Sequence, residues 1–288
     1  MRLSFKFVQE FARRRLLKKK VQIEFRDDAG RPRLFCDEPV IVARFASARR
    51  QAARRRFGEG TKMLMRGQTQ NYQGMVPGLF RLTPTETATN RLLLCAEERF
   101  EEEIQNKIKL GRLRRPNLAA LLQHYGYRTS WLDVVEDLRT AVWFATHSIV
   151  QLSLGVRTAR SEENETGWIY FIASVPCRSC AIDLREEHHG LSLRPHTQGG
   201  WSVRGAGDDI FDMKEWVIGC VEFPNDKRWA LSGYLVSGGF FFPSVKLDDT
   251  LKRLIDKRVD EVAASVEQEI GVHSGSLGRV YSLVKDTA

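Results

Sequence analysis

The chain is poor in the features that most readily disclose a function. It has no run of eighteen apolar residues, which excludes an obvious membrane-spanning helix. Its opening, MRLSFKFVQEFARRRLLKKK, shows helical spacing rather than the apolar block and small-residue cleavage site of a leader. Five scattered cysteines among 288 residues make an odd number and no dense disulfide framework, which suits a reducing, cytoplasmic setting. A phosphate-loop GxxxxGK, a GxGxxG after a strand, an HExxH and a GxSxG are all missing. The commonest nucleoside-triphosphatase, dinucleotide-fold, zincin and hydrolase readings therefore find no motif.

What the chain does have is an uneven charge. Residues 1–60 hold 17 Lys and Arg against 7 Asp and Glu, whereas the rest holds 28 against 29. The excess of +9 thus resides in the first fifth of the chain. A segregated basic element focuses a field and releases counterions on binding, so nucleic acid or another anionic macromolecule is the expected partner of residues 1–60. A solubilising face, or contact with an acidic partner chain, explains the same charge.

Periodicity divides the chain into helices first and strands later. Phe5, Val8, Phe11, Ala12 and Leu16 predict a helix over 4–18, VQIEF and RLFC around Asp28 and Gly30 a short hairpin, and residues 39–57 a second basic helix closed by Gly58. That helix carries Arg49, Arg50, Arg54, Arg55 and Arg56, too many cations over too many faces for full burial. KMLM reads as a strand, 85–109 and 117–125 as helices, 128–134 as a strand or extended turn, and 136–150 as a helix with Asp133 and Glu136 in capping-box spacing. Strands then follow in WIYFIASV, CAIDL, WSV and WVIGCVEF, with 160–166 as a loop and a terminal helix near 248–268. The expected fold is α+β, a mixed or antiparallel central sheet flanked by helices over 61–288, preceded by a basic helical extension over 1–60.

Few side chains stand out as candidates for chemistry. Cys177-x-x-Cys180 has metal-ligand spacing, and His188, His189, His196 and Cys220 would be needed to complete a tetrahedral set. No second CxxC or HxxxH accompanies it, so two packed thiols are the simpler reading and no metal is expected. Arg66 at a strand end, His124 and Tyr125 before Gly126, the Thr129–Ser130 pair and Gln198 remain. Each has a plain structural explanation: Arg66 as the partner of a carboxylate, His124 as the close of a helix, Asp133 as an N-cap. Together, over an apolar floor of Trp131, Leu132, Trp143 and Phe144, they describe a nucleotide-sized pocket.

The order MRGQ (65–68), PGLFR (77–81), QHYG (123–126), TSWLD (129–133), AVWFA (141–145), Gln198-Gly199 and FFPS (241–244) resembles the FRG domain over about residues 62–256. Met65 stands where the family carries an aromatic, and Ser130-Trp131 replaces a basic-leucine pair, which alters a wall of the expected pocket. The resemblance implies a bacterial or phage protein acting in the cytoplasm. A weaker similarity, carried by Arg-Gly, Thr-Ser, Ala-x-x-Phe-Ala and the later strand, links the chain to the Arg–Ser–Glu class of ADP-ribosyltransferases. That similarity implies NAD as co-substrate, Arg66, Thr129, Ser130 and Gln198 as catalytic residues, and Arg66, His124, Tyr125 and Trp131 as the nucleotide contacts. A guanidinium suits the phosphates, an aromatic the base, and a carboxylate the cation that develops as nicotinamide departs. Gln198 supplies no such charge, and no motif selects Glu215 or Glu222. The implied role is a nucleotide-utilising effector, a toxin or phage-defence protein, restrained by an acidic partner or antitoxin chain. The alternatives are a nucleotide- or nucleic-acid-binding module without turnover, and a metal-independent nuclease using His124 or His196.

Overall fold

A computed structural model describes residues 33–35, 39–71, 75–81, 87–107, 115–152, 155–160, 166–174, 179–187, 192–225 and 238–278. The strands are β1 (Arg33–Phe35), β2 (Lys62–Gln68), β3 (Leu132–Val135), β4 (His147–Leu152), β5 (Gly155–Arg160), β6 (Thr166–Ser174), β7 (Ser179–Asp183), β8 (Gly200–Gly205) and β9 (Val217–Pro224). The helices are α1 (Pro39–Phe57), α2 (Thr87–Lys107), α3 (Arg115–His124), α4 (Leu138–Thr146), α5 (Leu184–Glu187), α6 (Leu193–Gln198), α7 (Gly238–Phe241), α8 (Asp249–Asp256) and α9 (Val259–Ile270). Seven strands form one sheet in the order β1-β9-β6-β2-β3-β8-β7, while β4 and β5 make a separate hairpin. All neighbours in the large sheet are antiparallel except β1 and β9, which run parallel. The fold is the expected α+β with a mixed central sheet. Among the described residues no helix is long and apolar enough to cross a membrane.

Strand alternation distributes the core. Met63 and Met65 of β2, Ile169 and Phe171 of β6, and Val221 and Phe223 of β9 meet α1 and α4 through Val42, Ala46, Ala141, Val142 and Ala145. Leu64, Trp168, Tyr170 and Ile172 point the other way, toward Met75, Met213 and Trp216. A third, helical core packs α2, α3, α8 and α9 together through Leu93, Phe100, Ile104, Leu121, Leu251 and Val262. Residues 33–57 thus supply an edge strand and a helix to the same sheet as the residues after 61.

One contact explains the Arg-Gly pair. A Cβ built on Gly67 would lie 1.9 Å from the Ala141 carbonyl oxygen and 2.8 Å from the Ala145 nitrogen. Glycine on the strand and alanines one turn apart on α4 are what let the helix backbone rest on β2.

Several boundaries differ from expectation. The helix predicted over 136–150 ends at Thr146, and residues from His147 onward pair with β5. Its cap is Asp137, which accepts from the Thr140 backbone N–H at 2.9 Å, whereas Asp133 lies inside β3. The Asp133–Glu136 spacing fitted a capping box, but the strand continues to Val135 and delays the helix by one turn. The terminal helix is two, α8 and α9, separated at Lys257 and Arg258, the latter with a left-handed φ of 49°. The helix predicted over 4–18 and the first hairpin strand lie outside the described residues.

Candidate functional site

The strand pair β2–β3 has a single register pair, Met65↔Val135. Immediately beyond it, Arg66 Nη1 donates both to the Asp133 backbone carbonyl and to Asp133 Oδ1, each at 2.5 Å. The guanidinium thereby ties β2 to β3 through a backbone carbonyl and an ion pair at one residue. The Arg66 side chain is 12% exposed and that of Asp133 33% exposed, so the carboxylate is the member that faces solvent. Burial pushes the Asp133 carboxyl upward, but the charges of Arg66, His124 and Arg81 outweigh it and hold its pKa at about 2.

Behind this pair lies a seam of buried polar groups contributed by α3, the turn before β3, and α6. The Gln123 carboxamide donates to Asp133 Oδ1 at 3.3 Å and accepts from Thr129 Oγ1 at 2.9 Å. Turned over, its nitrogen donates instead to the Tyr127 and Trp131 carbonyls, both at 3.2 Å, and to Thr129 Oγ1. Either orientation ties down the turn that carries Thr129 and Ser130; the first also reaches the carboxylate.

His124 is buried one residue further on. Its Nδ1 lies 3.1 Å from Gln198 Oε1 and its Nε2 3.3 Å from the Trp201 carbonyl. Gln198 Nε2 donates to the Phe241 carbonyl at 2.9 Å, which turns its oxygen toward the imidazole. Both ring nitrogens face acceptors, and Asp133 adds a favourable charge, yet burial dominates and lowers the His124 pKa. Gly200 makes this packing possible: a Cβ there would lie 2.6 Å from His124 Cε1.

In the first of the two Gln123 orientations Arg66 and Thr129 are joined through Asp133 and Gln123; in both, Gln198 is bonded to His124, whose imidazole senses the Asp133 charge. The other expected residues serve elsewhere. Tyr125 is fully buried; its hydroxyl donates to the Asp248 carboxylate, 2.8 Å from both oxygens, and Arg194 lies over its ring. Burial pushes the phenol pKa well up, with the Asp248 charge adding to it. Trp131 is buried among Ala119, Ala120, Ile182 and Leu184, whereas Trp143 packs with Phe241 and Phe242 and Leu132 with Trp201. The expected apolar floor of Trp131, Leu132, Trp143 and Phe144 does not assemble, because successive residues at a strand entry face opposite sides and α4 turns its tryptophan toward the 241–242 segment.

Two carboxylates escaped sequence reasoning in different ways. Asp133 stood in the TSWLD motif but read as a cap. Glu97 of α2 was not singled out; it is one of many acids in AEERFEEE, but it continues the buried stripe of Leu93, Ala96, Phe100 and Ile104 at helical spacing, the sequence signal that marks it. Its Oε1 accepts from the Ser130 backbone N–H at 2.6 Å, and burial raises its pKa. Glu215 is exposed beside Trp216, and Glu222 lies on β9 opposite Trp168. Among the described residues no group of three or more His, Cys, Asp and Glu is placed to hold a metal ion. Cys177, His188 and His189 lie outside the described residues, and His196 is exposed.

Residues 61–152 match the FRG domain family model. This stretch runs from β2 through β4 and contains Arg66, Glu97, Gln123, His124, Thr129 and Asp133, but not Gln198 or the 241–244 segment. No curated protein and no solved structure matches the chain.

Proposed function

We propose that this FRG-domain chain binds a nucleotide at the Arg66–Asp133 pair and acts as an NAD-dependent ADP-ribosyltransferase-like effector on nucleic acid or protein. The observation that carries the reading is the ionised, one-third-exposed Asp133 held beside Arg66. The transferase scheme requires a carboxylate near a developing cation, which Gln198 cannot provide and Asp133 can. Arg66 keeps that carboxylate charged and oriented, with Gln123 and Thr129 bracing the turn behind it. NAD, as substrate, would supply the glycosidic bond and the nicotinamide leaving group. Arg66 is largely committed to Asp133, so any phosphate contact falls to the part of its guanidinium that this pair leaves available. His124 and Gln198 support the seam from inside rather than touching a ligand. The family resemblance supports a bacterial or phage setting for such an effector, with a toxin or defence role and a restraining partner chain.

Incubation with NAD labelled in the nicotinamide ring, with and without nucleic acid, tests this directly. Released nicotinamide or a covalent adduct is expected. Asp133→Asn should lower release at least a hundredfold while nucleotide binding persists, and Arg66→Ala should abolish release. Binding without release from the native chain would leave a non-catalytic nucleotide-binding module, a reading favoured by the bond from Arg66 to the Asp133 backbone carbonyl. Neither binding nor release would end both.

A further inference from the structure

The helix α1 buries Val42, Ala46 and Ala53 against the sheet. Arg49, alone among its arginines, is buried with them, its guanidinium over the Phe45 ring. The opposite side exposes Ala43, Arg44, Ser47, Arg50, Gln51, Arg54 and Arg55. The helix contains no acidic residue. Among the described residues no carboxylate pairs with Arg50, Arg54 or Arg55.

We infer that this outer face of α1 is a docking surface for the phosphate backbone of nucleic acid. At 3.6 residues per turn, Arg50 and Arg54 form one row, Arg44 and Arg55 another, and the small neutral ridge Ala43, Ser47 and Gln51 runs between them for about 12 Å. Two guanidinium rows flanking a low ridge match a lattice of phosphates, each of which accepts a fork of N–H donors. A protein partner would need a desolvated apolar or aromatic centre, and this face offers only Ala43 and polar groups. A lipid surface would need the apolar side of the helix, which is already spent on the sheet. Residues 1–32 hold ten Lys and Arg against four Asp and Glu, so the sequence before the helix is itself net positive. With no base-reading pattern on the ridge, binding is sequence-independent. The inference stands apart from the NAD reading: α1 precedes the matched stretch, and its readout needs no NAD.

The test titrates the full chain, without NAD, onto a short duplex DNA and a duplex RNA of the same sequence over about 50 to 200 mM salt. Binding that weakens linearly in logarithmic salt is expected. The triple variant Arg50→Glu, Arg54→Glu, Arg55→Glu should flatten that slope by about 3 and weaken binding at least tenfold. The triple variant Lys107→Glu, Lys252→Glu, Lys257→Glu changes net charge equally at exposed positions elsewhere and should alter the slope by less than about 1. Should the arginine triple unfold, the triple glutamine takes its place, with the same outcome expected. An unchanged slope in the α1 variant, equal losses in both triples, or binding to polyglutamate but to neither duplex would overturn the inference; the last result would identify an acidic protein as the partner.

Discussion

Arg66 and the outer arginines of α1 belong to one sheet assembly but to opposite electrostatic regimes. Arg66 is 12% exposed and bonded to a carboxylate and a carbonyl of the same residue. Arg50, Arg54 and Arg55 stand in solvent with no acidic neighbour on their helix. In the first setting the local dielectric is low, geometry is fixed and one pairing decides the protonation of its partner. In the second, salt screens each charge and only the sum of several matters. The lesson is that residue type alone does not separate a structural arginine from a binding one; its neighbours do.

The contrast can be broken from either side. The largest expected effect is Gly67→Val, which places side-chain atoms where the Ala141 carbonyl already sits. Because the obstacle is backbone, urea unfolding should show a loss of about 3 kcal/mol or more, toward the upper end for overpacked cores. Next comes Asp133→Asn, which leaves a mostly buried guanidinium without its counter-charge. A loss of about 1–2 kcal/mol at pH 7 is expected, below the full buried-pair cost because the carboxylate is one-third exposed.

The same substitution should reshape the acid limb. The folded pKa of about 2 lies below the ordinary 3.8, so the stability linked to Asp133 is present above the higher value and is lost as pH falls toward 2. Asp133→Asn should flatten the stability curve in that window, and a native acid limb identical to the variant's would contradict the pairing.

Glu97 has the opposite sign. Its raised pKa means that its contribution is present when protonated and is lost as pH rises through the folded value. Glu97→Gln keeps an acceptor for the Ser130 N–H and removes the cost of burying charge, so stability at pH 8 should stay level or rise. Glu97→Ala orphans that N–H and should cost about 2 kcal/mol. The smallest effect belongs to α1: the triple Arg50→Glu, Arg54→Glu, Arg55→Glu should shift stability by no more than about 0.5 kcal/mol per site, since exposed charges contribute little. A large loss there would mean that the outer arginines are structural after all.

Sequence legibility followed the range of the interactions involved. The helix over 39–57, the strands in KMLM, WIYFIASV and WVIGCVEF, and the α+β class were readable because local periodicity carries them, whereas the continuation of β2 through Arg66 to Gln68 was not. The end of α4 was not, because His147 to Leu152 belong to a hairpin with residues that follow. Asp133 could not be told from a cap, since its partner, Arg66, is 67 residues away.

By itself the sequence determined the segregation of positive charge, the helical and strand periods, and the order of motifs within 61–152, all of which depend on residue identity and short spacing. Only the tertiary structure decided that Arg49 is buried while Arg50 is not, that Tyr125 is tied to Asp248, and that Asp133 is the more exposed partner in its pair with Arg66. Those outcomes rest on distance and burial between residues far apart in the chain, and the cost of removing a charge from water is set by the whole fold around it.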